Sequence, residues 1–186
     1  TPVPTLGVPN GAIMVIQPGD TIIIETDRKR AYKTTINGRL EVGNTLGHYL
    51  GIVDGTGILA VTDQKLPAGR YDPFFTCTGG SLEYGDGGIP KDYTMSLIPS
   101  ALRRLTLSGG GKRIMPNKDI TICELLEIGG TTTLDNTVNN RTIYLNGSMT
   151  RIGGASFLSG SGTAAKVVFQ GNSAQSVGSF TTTNAF

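Results

Sequence analysis

His48 is the only histidine in the sequence, so any dyad or triad built on an imidazole must use it. It follows Gly47 in a turn-like stretch, and no serine or cysteine motif of nucleophile type stands near it. The expectation is a solvent-facing loop histidine without a catalytic role. Paired carboxylates are the other route to chemistry. Polysaccharide lyases and glycoside hydrolases need clustered Asp or Glu, often with a metal or a basic residue. Here the 14 Asp and Glu are scattered. Asp54, Asp63, Glu83 and Asp86 are the best candidates, at turns or outward strand positions, and they read as solvated groups. Asp86 lies in Gly85-Asp86-Gly87-Gly88, but the regular Gly- and Asp-rich nonapeptide of calcium-binding coils is missing.

Cys77 and Cys123 stand far apart, without a CxxC motif and with one histidine in the whole chain, which argues against zinc. Both lie in apolar, strand-like segments. Buried free thiols are the favoured expectation, and a disulfide is the alternative in an oxidising compartment. Gly109-Gly110-Gly111-Lys112 lacks the spacing of a phosphate loop and reads as a turn between strands. The runs Thr131-Thr132-Thr133 and Thr181-Thr182-Thr183 are too few for a flat ice-binding array. The basic cluster Arg28-Lys29-Arg30, with Lys33, lacks interleaved aromatics and reads as a soluble turn tip. No catalytic, cofactor-binding or metal-ligating residue is assigned, and no cofactor is expected. The net charge of +2 implies no strong electrostatic partner and no nucleic acid.

The elements that would position such groups are short strands. Hydrophobicity alternates with period two over residues 12–17, 21–26, 35–42, 57–62, 81–84, 102–107, 119–128, 141–145 and 166–169. Turn formers separate them, including Asn37-Gly38, Pro67-Ala68-Gly69, Gly109-Gly110-Gly111, Gly129-Gly130 and Asn146-Gly147. No helical period emerges. Trp is absent, there are 27 glycines and charged residues are 16%, all of which suit turns and strands rather than a helix bundle. No apolar run approaches a membrane span.

Two long stretches align. Ile36 to Leu40, then Asp54 to Gly57, then Ser81 to Gly85 follow the same order as Leu145 to Met149, Ser159 to Gly162 and Lys166 to Gly171. The expected architecture is an all-β, right-handed parallel β-helix (a solenoid). Residues 1–10 are expected as a linker or cap, and residues 11–186 as a repeat domain that stops mid-repeat, a fragment of a longer array.

The order Thr35-Ile36-Asn37-Gly38-Arg39-Leu40, Val53-Asp54-Gly55-Thr56-Gly57, Leu66-Pro67-Ala68-Gly69-Arg70-Tyr71 and Leu105-Thr106-Leu107-Ser108-Gly109-Gly110-Gly111-Lys112 resembles the repetitive segments of very large Bacteroidetes surface proteins. The tail from Val167 to Val177 resembles the same class. Those proteins are typically exported by the type IX secretion system and include gliding-motility adhesins. The resemblance implies secretion to the outer-membrane exterior and a non-enzymatic structural or adhesive role. Its implied partners are adjacent repeats of the same chain, surface glycans, or secretion and outer-membrane machinery. The alternative is a carbohydrate-active or glycan-binding β-helix of polysaccharide-lyase type. Two carboxylates and a basic residue converging in an outward groove would favour that alternative.

Overall fold

The computed structural model describes residues 11–25, 28–43, 47–95 and 98–178. The expected linker over residues 1–10, the run Thr181–Thr183 and the stretch from which a truncated repeat was read lie outside them.

The first half of the coil contains β1 (Ile13–Ile16), β2 (Thr21–Ile24), β3 (Lys33–Ile36), β4 (Arg39–Val42), β5 (Tyr49–Asp54), β6 (Ile58–Val61) and β7 (Ala68–Arg70). After an excursion over residues 71–80 come β8 (Ser81–Tyr84), β9 (Tyr93–Thr94), β10 (Ala101–Leu107), β11 (Gly110–Ile114) and β12 (Ile120–Ile128). The last strands are β13 (Thr131–Asp135), β14 (Thr142–Leu145), β15 (Ser148–Arg151), β16 (Ser156–Leu158) and β17 (Lys166–Phe169). Every paired strand is parallel to its neighbour, and the described residues form a β-solenoid of about seven turns without a helix. The described residues therefore contain no helix long and apolar enough to cross a membrane.

One sheet runs through the whole stack, from β2 through β4, β6, β8, β10 and β12 to β14 and β17, with β15 beside β12. Its inward residues stack in register. Leu40, Leu59, Leu82, Leu105, Leu126 and Met149 form one buried ladder. Val42, Val61, Tyr84, Leu107 and Ile128 form a second. Each such side chain removed from water contributes about 1.5–3 kcal/mol, and none could be buried within a single turn. Among the paired strands rung length varies from 18 residues, where Thr21 pairs with Arg39, to 24, where Leu145 pairs with Phe169, and the last bridge, Met149 to Val177, spans 28.

The second sheet, β1-β3-β5-β7, precedes the long sheet in each of the first rungs. The third, β9-β11-β13-β16, follows it in the later rungs. The faces that carry regular strands thus change at the excursion. Above it, the long sheet itself extends around that corner, through the first residues of β10 and β12 and then β14 and β17, stacked through Leu102, Ile122, Leu145 and Phe169.

Three expectations are corrected. The repeat is the rung, not the longer unit. Asn37-Gly38 and Asn146-Gly147 do occupy equivalent corners, because each Asn N–H donates to the preceding rung, at Ile16 and Ile122. Ser81–Tyr84 and Lys166–Phe169 are not equivalent, since the first continues β6 and the second continues β14 before the next corner. Gly110-Gly111-Lys112 is strand β11 rather than a turn, held in register by Thr131, Thr132 and Thr133. Ala68-Gly69 likewise belongs to β7.

The corner before β11 does need glycine. Gly109, Gly130 and Gly153 stack there with φ of 87°, 67° and 70°. A Cβ on Gly130 would lie 2.3 Å from the Gly109 carbonyl oxygen. Beside this column Arg113 is wholly buried. Its guanidinium donates to the carbonyls of Lys91, Gly110 and Ser108 and lies 4.4 Å from the Tyr93 ring centre. Carbonyl dipoles and an aromatic face take the place of a counter-ion there.

Candidate functional site

The four candidate carboxylates do not gather into one cluster, although Asp63 and Asp86 follow paired strands in adjacent rungs and both lie close enough to Tyr93 to raise its pKa. Asp54 ends β5 and pairs with Lys33 Nζ at 2.6 Å, while the Thr35 hydroxyl donates to it at 2.6 Å. Burial alone would raise the Asp54 pKa, but the bonds from Lys33 and Thr35 outweigh it and hold the carboxyl below its usual value. Asp63 and Asp86 sit in the loops after β6 and β8, where they accept the N–H groups of Gln64 and Gly88. Such bonds serve turn geometry. Glu83 projects from the outer face of β8.

Glu83 does meet a second carboxylate, one that the spacing of charges did not single out. Arg39 Nη1 lies 2.7 Å from Glu83 Oε2, and Arg39 Nε lies 3.4 Å from Glu41 Oε2. The first pair spans two rungs, because the outward residue between them is Ala60. The signal was available: Glu41, Ala60 and Glu83 fall in register once the rung length is known. The guanidinium is shared between both acids, and Ser108 also donates to Glu83. The guanidinium is thus fully engaged on an outer sheet face, and the three charges together leave a net −1.

His48 is buried, at 1% exposure, rather than facing solvent. Its Nδ1 accepts the backbone N–H of Lys29, which ties two neighbouring rungs together. The threonine run is likewise split by strand alternation, with Thr132 buried and Thr131 exposed. Among the described residues no group of three or more His, Cys, Asp or Glu is placed to hold a metal ion.

The cysteines are not buried free thiols. Cys77 and Cys123 form a disulfide, with Cys77 exposed and Cys123 half-buried. Strand alternation explains the discrepancy: Ile120 and Ile122 are buried, so Cys123 points outward. Leu102 pairs with Ile122, and Arg104 pairs with Leu125, so a bulge sets Glu124 beside Cys123, and together they face Arg103. The excursion of residues 71–80 reaches it from below, anchored by buried Phe74 and Phe75.

Residues of this excursion help to line a concave feature of the surface. A groove of about 1190 Å³ opens where β7 ends and the chain resumes at Ile98-Pro99-Ser100-Ala101. Leu66, Pro67, Phe75 and Ile98 give it a buried apolar floor. Tyr71 stacks on Phe75 at 5.4 Å, and its hydroxyl donates to the Pro67 carbonyl. Burial pushes the Tyr71 phenol well above its usual pKa, so it stays a neutral donor. Tyr49 stands half exposed at the edge. The rim carries Arg30, Lys65, Arg70 and Lys118, against the single carboxylate of Asp72. Arg70 lies 3.9 Å from Asp72, both largely exposed. Among the described residues no carboxylate pairs with Arg30, Lys65 or Lys118. Burial draws the Lys118 ammonium below its usual pKa.

Sequence reasoning missed this site. Its cations come from three separate segments, and a net charge near zero hides a local excess. Arg30 stood out only as part of a turn tip, and Arg70 only within the stretch that carries the resemblance. No family model, curated protein or solved structure matches the chain.

Proposed function

We propose that the chain is a non-enzymatic structural and adhesive module of a large secreted cell-surface protein, acting as a stiff repeat segment. The observation that carries this reading is the unbroken inward ladder from Leu40 to Met149, which makes each rung depend on its neighbours. About seven turns at a strand spacing of ~4.8 Å give a segment roughly 34 Å long. Its stiffness follows from parallel pairing in every rung. The Cys77–Cys123 disulfide supports export, because such bonds persist in oxidising compartments. The resemblance to repetitive Bacteroidetes surface proteins supplies the cell-surface and type IX secretion part of the proposal.

A second reading, a polysaccharide-cleaving β-helix, is favoured by one observation, the convergence of Glu41, Arg39 and Glu83. Against it, none of the three lines the groove, and the basic residue is already neutralised by both acids. Incubation with acidic and neutral polysaccharides separates the two readings. The structural reading expects no new reducing ends and no unsaturated uronates. Their appearance, lost on Glu83→Gln, would replace it with the enzymatic one.

A further inference from the structure

We infer that the groove between β7 and Ile98–Ala101 binds an acidic polysaccharide, with Arg30, Lys65, Arg70 and Lys118 meeting its anionic groups. This deepens the adhesive reading by naming the contact surface and the class of ligand.

Charge complementarity is the first argument. Four cations surround one carboxylate, and three of them have no acidic partner among the described residues. The outer face of the long sheet is different, since Arg39, Arg103 and Arg104 are all matched by glutamates there. A surface that pairs its charges in one place and leaves a cationic excess in a groove is suited to an anionic occupant.

The second argument concerns what kind of polyanion fits. An extended peptide would dock on a strand edge through main-chain hydrogen bonds. The open edge of β7 offers almost none. The Ala68 N–H already donates to His48, and Arg70 is in register with Ile52, so both face β5. Pro67 has no N–H. The Tyr71 carbonyl is taken by the N–H groups of Phe74 and Phe75. Gly69 alone is left. Recognition must therefore run through side chains, which here are exposed cations beside half-exposed Tyr49 and the Tyr71–Phe75 stack. Charged groups on a chain of sugar rings match that combination, because rings offer apolar faces to aromatics and carboxylates or sulfates to the rim.

Isothermal titration of the full chain with polygalacturonate, alginate and chondroitin sulfate tests the inference, with dextran and poly-glutamate as comparisons. Binding to at least one acidic polysaccharide is expected, weakening as salt rises, with none to dextran. The double variant Lys65→Glu/Arg70→Glu should weaken it about tenfold or more. Lys91→Glu/Lys166→Glu changes the charge equally outside the groove and should leave affinity within about twofold. Arg70→Gln, a milder change at an exposed site, covers the case in which the double variant does not fold, and should still weaken binding. Absence of binding, equal loss in both double variants, or a preference for poly-glutamate would each overturn the groove assignment. The structural reading survives those outcomes. Cleavage of a bound polysaccharide would instead overturn the non-enzymatic reading and leave the groove in place.

Discussion

Between β3 and β4 the coil turns on Gly38, and between β14 and β15 it turns on Gly147. In the rungs of β10 and β12 the same corner is held by Arg103 and by Cys123-Glu124, and the strand runs through without a break. At the glycine corners, backbone meets backbone. A Cβ on Gly38 would lie 2.3 Å from the Gln17 carbonyl oxygen, and one on Gly147 would lie 1.8 Å from that of Glu124. At the other corners the side chains point outward and find partners. Glu124 pairs with Arg104, and with Arg103 Nε at 3.4 Å, while Cys123 reaches Cys77. A tight corner fixes the path of the chain but presents nothing. A wide corner presents side chains, and the disulfide and the neighbouring groove both gather beside it.

The sharpest way to break this comparison is to give the tight corner a side chain. Gly147→Ala should destabilise the chain by more than about 4 kcal/mol, since only backbone can move to make room. Arg103→Ala at the wide corner should cost about 1 kcal/mol or less, because it removes partly exposed pairs. Urea denaturation of both variants measures the contrast, and similar losses would show that the two corners are not different in kind.

The next effect is the link that the wide corner makes with the excursion. Cys77 and Cys123 are 46 residues apart, so their cross-link closes a long loop. Cys77→Ser/Cys123→Ser should lower stability by about 3–4 kcal/mol through the unfolded chain. It should also raise hydrogen exchange in residues 71–80 more than in β2 and β4. Uniform exchange changes would mean that the excursion is held by Phe74 and Phe75 alone.

The smallest effect is acidic. The hydrogen bond from Arg104, with the nearby charges of Arg104 and Arg103, holds the Glu124 carboxyl below its usual pKa. A depressed pKa adds stability that is present above the ordinary value of ~4.3 and disappears as pH falls through the lowered one. Glu124 is about half exposed, so solvent screens the pair and the contribution at pH 7 should be below about 1 kcal/mol. The stability gap between wild type and Glu124→Gln, followed by urea midpoints from pH 7 downward, should close in acid. A gap that persists there would show that Glu124 acts through packing.

The alternating runs placed most strands of the long sheet correctly, because inward and outward residues must alternate wherever one face is buried. They failed where the stack, not the residue, makes the strand. Gly110-Gly111 and Ala68-Gly69 carry local turn signals, yet the rungs beside them supply hydrogen bonds in register. The same limit hid the groove. Arg30, the stretch from Lys65 to Arg70, and Lys118 lie in three segments that only the coil brings together.

By itself the sequence determined that this chain is all-β, since alternating apolar residues and glycine turns make short strands with one buried face. That pattern suits a sandwich or a barrel as well, and the parallel solenoid was expected from internal repetition and resemblance. Rung length, the bulge that sets Glu124 beside Cys123 and the change of stranded faces at residues 71–80 were decided by tertiary structure alone. They depend on which residues become neighbours across some 20 positions of sequence, and that register is set by the whole stack rather than by any one segment.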